Sequence, residues 1–159
     1  MSSTYEPIAT TTLGSAQSTV TFSSISGSYT DLILVYNAIS STDDQNYLQF
    51  NGDTGSNYSR TFMSGTGSSA VSGRDTSINK MYGPFSVSVP TINIAQIQNY
   101  SNSTTFKTAL IRSGAANNST IATAGLWRST SAITSILVGT NSGTFNSGTV
   151  FTLYGIKAE

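Results

Sequence analysis

Asp31-Leu32-Ile33-Leu34-Val35-Tyr36-Asn37-Ala38 is the stretch whose reading decides the fold. Its apolar run, Leu32 to Tyr36, is far too short to span a membrane. The β-branched residues Ile33 and Val35 favour extended backbone. In a strand, successive side chains point to opposite faces, so this run is apolar on both. That places it in the middle of a sheet. Ser26-Gly27-Ser28 turns the chain just before it.

Working outward, short segments with period-two alternation recur at residues 5–12, 18–22, 47–50, 58–63, 85–89, 91–100, 105–112, 121–128, 133–138 and 149–156. Turn residues separate them, such as Asn51-Gly52-Asp53 and Asn141-Ser142-Gly143. No dozen-residue stretch carries apolar positions at helical spacing, and Ser, Thr, Asn and Gly disfavour helix. Residues 64–79 are Gly/Ser-rich with few large apolar groups and read as a long loop, a feature usually functional or mobile. Eight to ten strands predict an all-β chain: an antiparallel β-sandwich, with a jelly roll first and an Ig-like sandwich as competitor. No internal repeat points to a propeller or solenoid. The expected organisation is an N-terminal arm over residues 1–7 and one sandwich domain over residues 8–159.

Composition narrows the function. Charged residues are only 9% of 159, against about 25% in ordinary globular domains. Seven basic and seven acidic side chains cancel. Ser and Thr fill about a third of the chain. A weakly charged, hydroxyl-rich surface repels neighbours little and suits an assembly. The seven cations, from Arg60 to Lys157, are scattered singly, whereas nucleic-acid backbones need clustered Lys and Arg. We therefore expect no nucleic-acid partner and no membrane partner. The start, Met1 to Pro7, has neither a basic nor an apolar signal region, so we expect no signal peptide and synthesis in a cytoplasm.

Chemistry has few places to hide. Cysteine and histidine are absent, which removes thiol nucleophiles, the commonest general base and the commonest metal ligand. Paired carboxylates could come from Asp43, Asp44 and Asp53, which flank one strand, and could form a weak calcium site; the plainer reading is turn geometry. Gly65-Thr66-Gly67-Ser68-Ser69 lacks the Lys-Ser/Thr ending and the helix of a phosphate loop. We expect no enzyme and no cofactor. Tyr47, Tyr58 and Tyr82 flank the polar segment 64–79 and would stack on sugars if exposed, though core packing is the commoner fate of such rings. Trp127 beside Arg128 is a candidate inter-subunit anchor, since both residue types are over-represented at interfaces. The segment ending Tyr5-Glu6-Pro7 is the candidate arm reaching a neighbour.

Four blocks carry a resemblance. They are Tyr5-Glu6-Pro7-Ile8-Ala9-Thr10-Thr11-Thr12-Leu13-Gly14 leading into Val20 to Ile25; Leu48-Gln49-Phe50-Asn51-Gly52-Asp53-Thr54-Gly55-Ser56-Asn57-Tyr58-Ser59; Gly125-Leu126-Trp127-Arg128-Ser129-Thr130-Ser131-Ala132-Ile133-Thr134-Ser135-Ile136; and Phe151-Thr152-Leu153-Tyr154-Gly155-Ile156-Lys157. In this order, over nearly the whole chain, they resemble a family of small tailed-phage structural proteins. The resemblance implies a jelly-roll or related β-sandwich on the virion surface, and within that group a capsid decoration (cement) protein, homotrimeric, whose partner is the major capsid protein. It implies no catalytic residue. The alternative expectation is a tail-fibre or receptor-binding module that recognises host surface glycans through residues 64–79 and Tyr47, Tyr58 and Tyr82.

Overall fold

A computed structural model describes residues 4–86, 88–115 and 118–157. These contain no helix and form twelve strands: β1 (Tyr5–Thr12), β2 (Thr19–Phe22), β3 (Asp31–Ala38), β4 (Asp44–Phe50), β5 (Tyr58–Gly65), β6 (Ala70–Ile78), β7 (Met81–Ser86), β8 (Thr91–Gln98), β9 (Lys107–Ala115), β10 (Ser119–Trp127), β11 (Ile136–Thr140) and β12 (Val150–Ile156). Eight make one antiparallel sheet in the order β1-β12-β3-β8-β9-β10-β5-β6, and four make a second in the order β2-β11-β4-β7. The result is the expected β-sandwich. Its division into eight and four differs from the eight-stranded double Greek key of a jelly roll.

Period-two patterning builds the core. On β3, Leu32, Leu34, Tyr36 and Ala38 face inward, beside Phe151 and Leu153 of β12 and Ala95 and Ile97 of β8. The small sheet answers with Val20, Phe22, Leu48, Phe50, Ile136 and Val138, all buried. Tyr36 stacks on Phe151 with ring centroids 5.0 Å apart, and Phe50 meets Trp127 edge-on at 5.6 Å. The expected turn after β4 is present: Asp53 N donates to Phe50 O at 2.9 Å, with φ of +53° at Asn51 and +67° at Gly52. Both central residues are left-handed, which Asn and Gly tolerate best. Gly125 of β10 is required for a different reason: Met81 of β7 lies where its Cβ would be.

Two expectations need correction. Residues 64–79 are not a long loop. Ala70–Ile78 is a nine-residue strand paired with β5, closed by a short turn in which Thr66 N donates to Ser69 O at 3.0 Å. Its hydrophobic pattern is weak because backbone pairing, not burial, holds it. The described part of the expected arm is likewise not free: Tyr5, Glu6 and Pro7 pair with Ile156, Gly155 and Tyr154. Residues 1–3 lie outside the described residues.

Candidate interaction surfaces

The N-terminal candidates sit on an edge strand. Tyr5 is 53% exposed. Glu6 Oε1 accepts from Lys157 Nζ at 2.7 Å, and Lys157 N donates to Thr4 O at 3.1 Å. A bulge separates Pro7 from Ala9 in the register with β12. Proline, a bulge and charge are common protections of a sheet edge, and β1 has all three.

Trp127 and Arg128 belong to a clamp inside the chain. Trp127 is 2% exposed, so its ring is core, not a surface anchor. Its Nε1 donates to Asp53 Oδ2 at 2.6 Å. The same carboxylate accepts from Gly55 N at 2.8 Å and Asn57 Nδ2 at 2.9 Å. Burial alone would raise the Asp53 pKa; the bonds from Trp127, Asn57 and Gly55 outweigh it and hold the carboxyl below its ordinary value. Arg128 closes the other side, donating to Ser56 O at 2.9 Å, Tyr58 O at 3.3 Å and Ser59 Oγ at 3.2 Å. Tyr58 is fully buried, accepts from Phe50 N at 3.0 Å and donates to Asp53 O at 3.1 Å. Burial pushes its hydroxyl up to about 12, the Phe50 bond opposing and the Asp53 charge adding.

Tyr47 and Tyr82 lie opposite one another across β4 and β7, and their rings already hold cations. Lys80 Nζ sits 4.3 Å from the Tyr47 ring centre and 5.4 Å from that of Tyr82. Arg60 Cζ sits 5.2 Å from Tyr82 and 4.6 Å from Phe62. The result is a ladder of alternating rings and cations. The Tyr47 ring also passes over Gly139, whose missing Cβ leaves room for it. Arg60, 7% exposed, is anchored by Asp75 at 2.6 Å, a pair formed only because β6 is a strand.

Asp43, Asp44 and Asp53 are not brought together. Asp44 begins β4 and Asp53 follows its end, so the strand keeps them about 20 Å apart. Asp43 accepts from Ser88 N at 2.9 Å and Asp44 from Gln45 N at 2.6 Å.

Two surfaces are open among the described residues. The first is the far edge of the large sheet, β6. From Ala70 to Arg74 it keeps regular register with β5; a register shift and the charges Arg74 and Asp75 lie towards its other end, and Val71, 59% exposed, and Met63, 65% exposed, stand on opposite faces of the sheet near the turn. The second is the outer face of the same sheet. Val35, Ile94, Leu110 and Met63 stand there on adjacent strands. The small residues Ala122 and Ala124 of β10 sink its middle into a trough. One hollow in it, of about 430 Å³, lies between Leu110, Thr108 and Gln98 on one side and Ser59, Thr61 and Arg74 on the other.

Against this geometry, comparison with family models, curated proteins and solved structures finds no match.

Proposed function

We propose that the chain is a structural protein of a phage particle: a capsid decoration (cement) protein that binds the outer shell, stabilises it, and works as a homotrimer. The phage assignment rests on the sequence resemblance. The docking role is supported chiefly by one observation: the open β6 edge, with exposed Val71 and Met63 beside it. Proteins that act alone usually protect such an edge; on β6 the register shift and the charges are confined to the end from Arg74 to Ile78, and Ala70 to Gly73 keeps a regular, uncharged edge. An unprotected edge pairs with a strand from a partner; main-chain hydrogen bonds supply affinity and alternate side chains supply register. Contact with several capsomers at once adds avidity, so each contact can be weak.

The test is binding to shells of the major capsid protein that lack this chain. Sedimentation with the shells, followed by gel densitometry, is expected to give saturable binding at a copy number comparable with that of the capsid protein. Val71→Lys with Ser72→Lys, which places on β6 the charge that edge strands use for protection, is expected to abolish it. Purified particles carrying only a few copies, or unchanged binding by the double variant, would overturn the proposal.

A further inference from the structure

Hollows on the outer face of the eight-stranded sheet lie in line along β10. The one of about 430 Å³ spans Ala124 and Leu126, one of about 200 Å³ spans Ala122 and Ala124, and one of about 500 Å³ spans Thr120 and Ala122. Together they make a groove about 20 Å long, between ridges on β9 and β5 that stand about 10 Å apart.

The charge of this groove is one-sided. Arg112 of β9 stands beside Ala122, and Arg74 lines the 430 Å³ hollow. Arg128 reaches its end, bonded to Ser59 Oγ at 3.2 Å. No carboxylate lines the hollows. Asp31, on the same face, is three strands from β10 and accepts from Asn99 N at 2.7 Å. Neither Arg74 nor Arg112 makes an ion pair among the described residues.

We infer that the groove is a binding site for an extended acidic oligosaccharide, whose carboxylates meet Arg74 and Arg112. Unpaired guanidinium groups select an anion, and their forked donors match a carboxylate in bidentate fashion. Ser59, Thr61, Gln98 and Thr108 surround the 430 Å³ hollow with hydroxyl and amide groups. Such groups both donate and accept, as sugar hydroxyls require. The floor of Ala122, Ala124 and Leu126 takes the apolar C–H face of a sugar ring.

Other anions fit less well. β10 is paired along its length with β9 on one side and β5 on the other, so the groove offers a ligand no free main-chain group. An acidic peptide laid there would leave its own amides unpaired against alanine, which is costly; peptides do better at a sheet edge. Nucleic acid would find three arginines, no lysine and no aromatic platform among the outward side chains of β9, β10 and β5. The inference does not depend on shell docking, which uses the edge of the sheet and not this face.

Calorimetric titration of the full chain with oligogalacturonate and with hyaluronate, two carboxylated sugar chains, tests this. Saturable binding to at least one is expected, weakening as salt is added. The uncharged methyl ester of oligogalacturonate should not bind. Arg74→Ala and Arg112→Ala should each raise Kd about tenfold or more, and Ala124→Phe, which fills the groove, should abolish binding. Thr21→Glu, on the exposed side of the small sheet, should change nothing, and circular dichroism should show the same strand content in every variant. Binding to neither sugar chain, equal binding of the methyl ester, or arginine variants that bind as the wild type does would overturn the inference. Tighter binding of a polyglutamate peptide, lost with Arg74→Ala, would also overturn it and give the groove to an acidic peptide. Arg112→Ala is expected to keep shell binding; losing it would assign the face to the shell, so that the inference fails and the proposed function stands. Sugar binding through the arginines without shell binding does the opposite.

Discussion

Removing the Asp53 carboxylate tests whether the clamp holds the two halves of the chain together. Trp127 is 2% exposed, and its indole N–H has Asp53 Oδ2 as its acceptor at 2.6 Å. Asp53→Ala strands that donor, and a hydrogen bond to a charged group contributes about 1.5–3 kcal/mol. The bonds from Gly55 N and Asn57 Nδ2 lie at the surface, where each is worth about 0.5 kcal/mol. The sum is about 3 kcal/mol, or about 6–12 °C in Tm for a domain of this size. Trp127 is the single tryptophan, so its fluorescence reports urea unfolding directly at the clamp. Trp127→Phe keeps most of the ring and removes the donor. If the bond is what matters, the double variant should cost at least about 1 kcal/mol less than the sum of the singles. A cost for Asp53→Ala below about 1 kcal/mol, or an additive cycle, would refute the clamp.

The same carboxylate sets a pH signature. Its folded pKa is depressed, the hydrogen bonds prevailing over burial. Between the folded value and the unfolded value of about 3.9, the unfolded chain binds more protons. The clamp's stabilisation is therefore fully present above the unfolded pKa and is lost as pH falls through the folded one. Asp53→Asn should lie below the wild type at neutral pH and converge with it in acid. Asp44, also depressed, by bonds from Ser142, Gln45 and Asn141 against the effect of burial, should leave the variant a residual acid slope.

Two further outcomes follow from the packing. Gly125→Val must displace Met81 and should cost about 2–3 kcal/mol, whereas Ala124→Val, one residue away on the outer face, should cost under about 0.5 kcal/mol; chemical denaturation of both checks the contrast. Lys107 is fully buried, and its Nζ donates to Thr105 O at 2.8 Å and Thr130 O at 3.1 Å. Desolvation lowers its pKa, so the unfolded state binds more protons between the folded value and the ordinary 10.5. Wild-type stability relative to Lys107→Met should therefore rise as pH climbs through that window, and a flat difference would count against the buried charge.

Much of the sandwich was legible in local pattern. β3 was expected and found at Asp31–Ala38, because its apolar run is long, β-branched and preceded by a turn. β11 shifted instead. Ile133 is buried but precedes the strand, with its N bonded to Tyr100 O, while Asn51 Oδ1 accepts from Thr134 N and Ser135 N. Those partners lie over thirty and eighty residues away in sequence, so no local rule could find them. β6 was illegible for the same reason: its backbone pairing with β5 is supported by Arg60 on Asp75 and the Phe62 ring over Gly73, both across strands.

The candidate anchor at Trp127 was misplaced by a sound rule applied without its partner. Trp beside Arg is common at interfaces, but Asp53, 74 residues away, holds Trp127 inward, and Arg128 is spent on Ser56, Tyr58 and Ser59. The stretches Leu48–Ser59 and Gly125–Ile136, two of the four blocks that carry the resemblance, hold the two ends of this clamp. Their side chains need one another: the Asn51-Gly52 turn aims Asp53, Asp53 holds Trp127, and Arg128 ties down the loop before Tyr58. A fold requirement of that kind is enough to explain these residue types at this spacing. The clamp therefore argues for the fold. The sequence pattern was weakest at β6, the last strand of its sheet, where no further strand among the described residues pairs with it to sharpen the alternation.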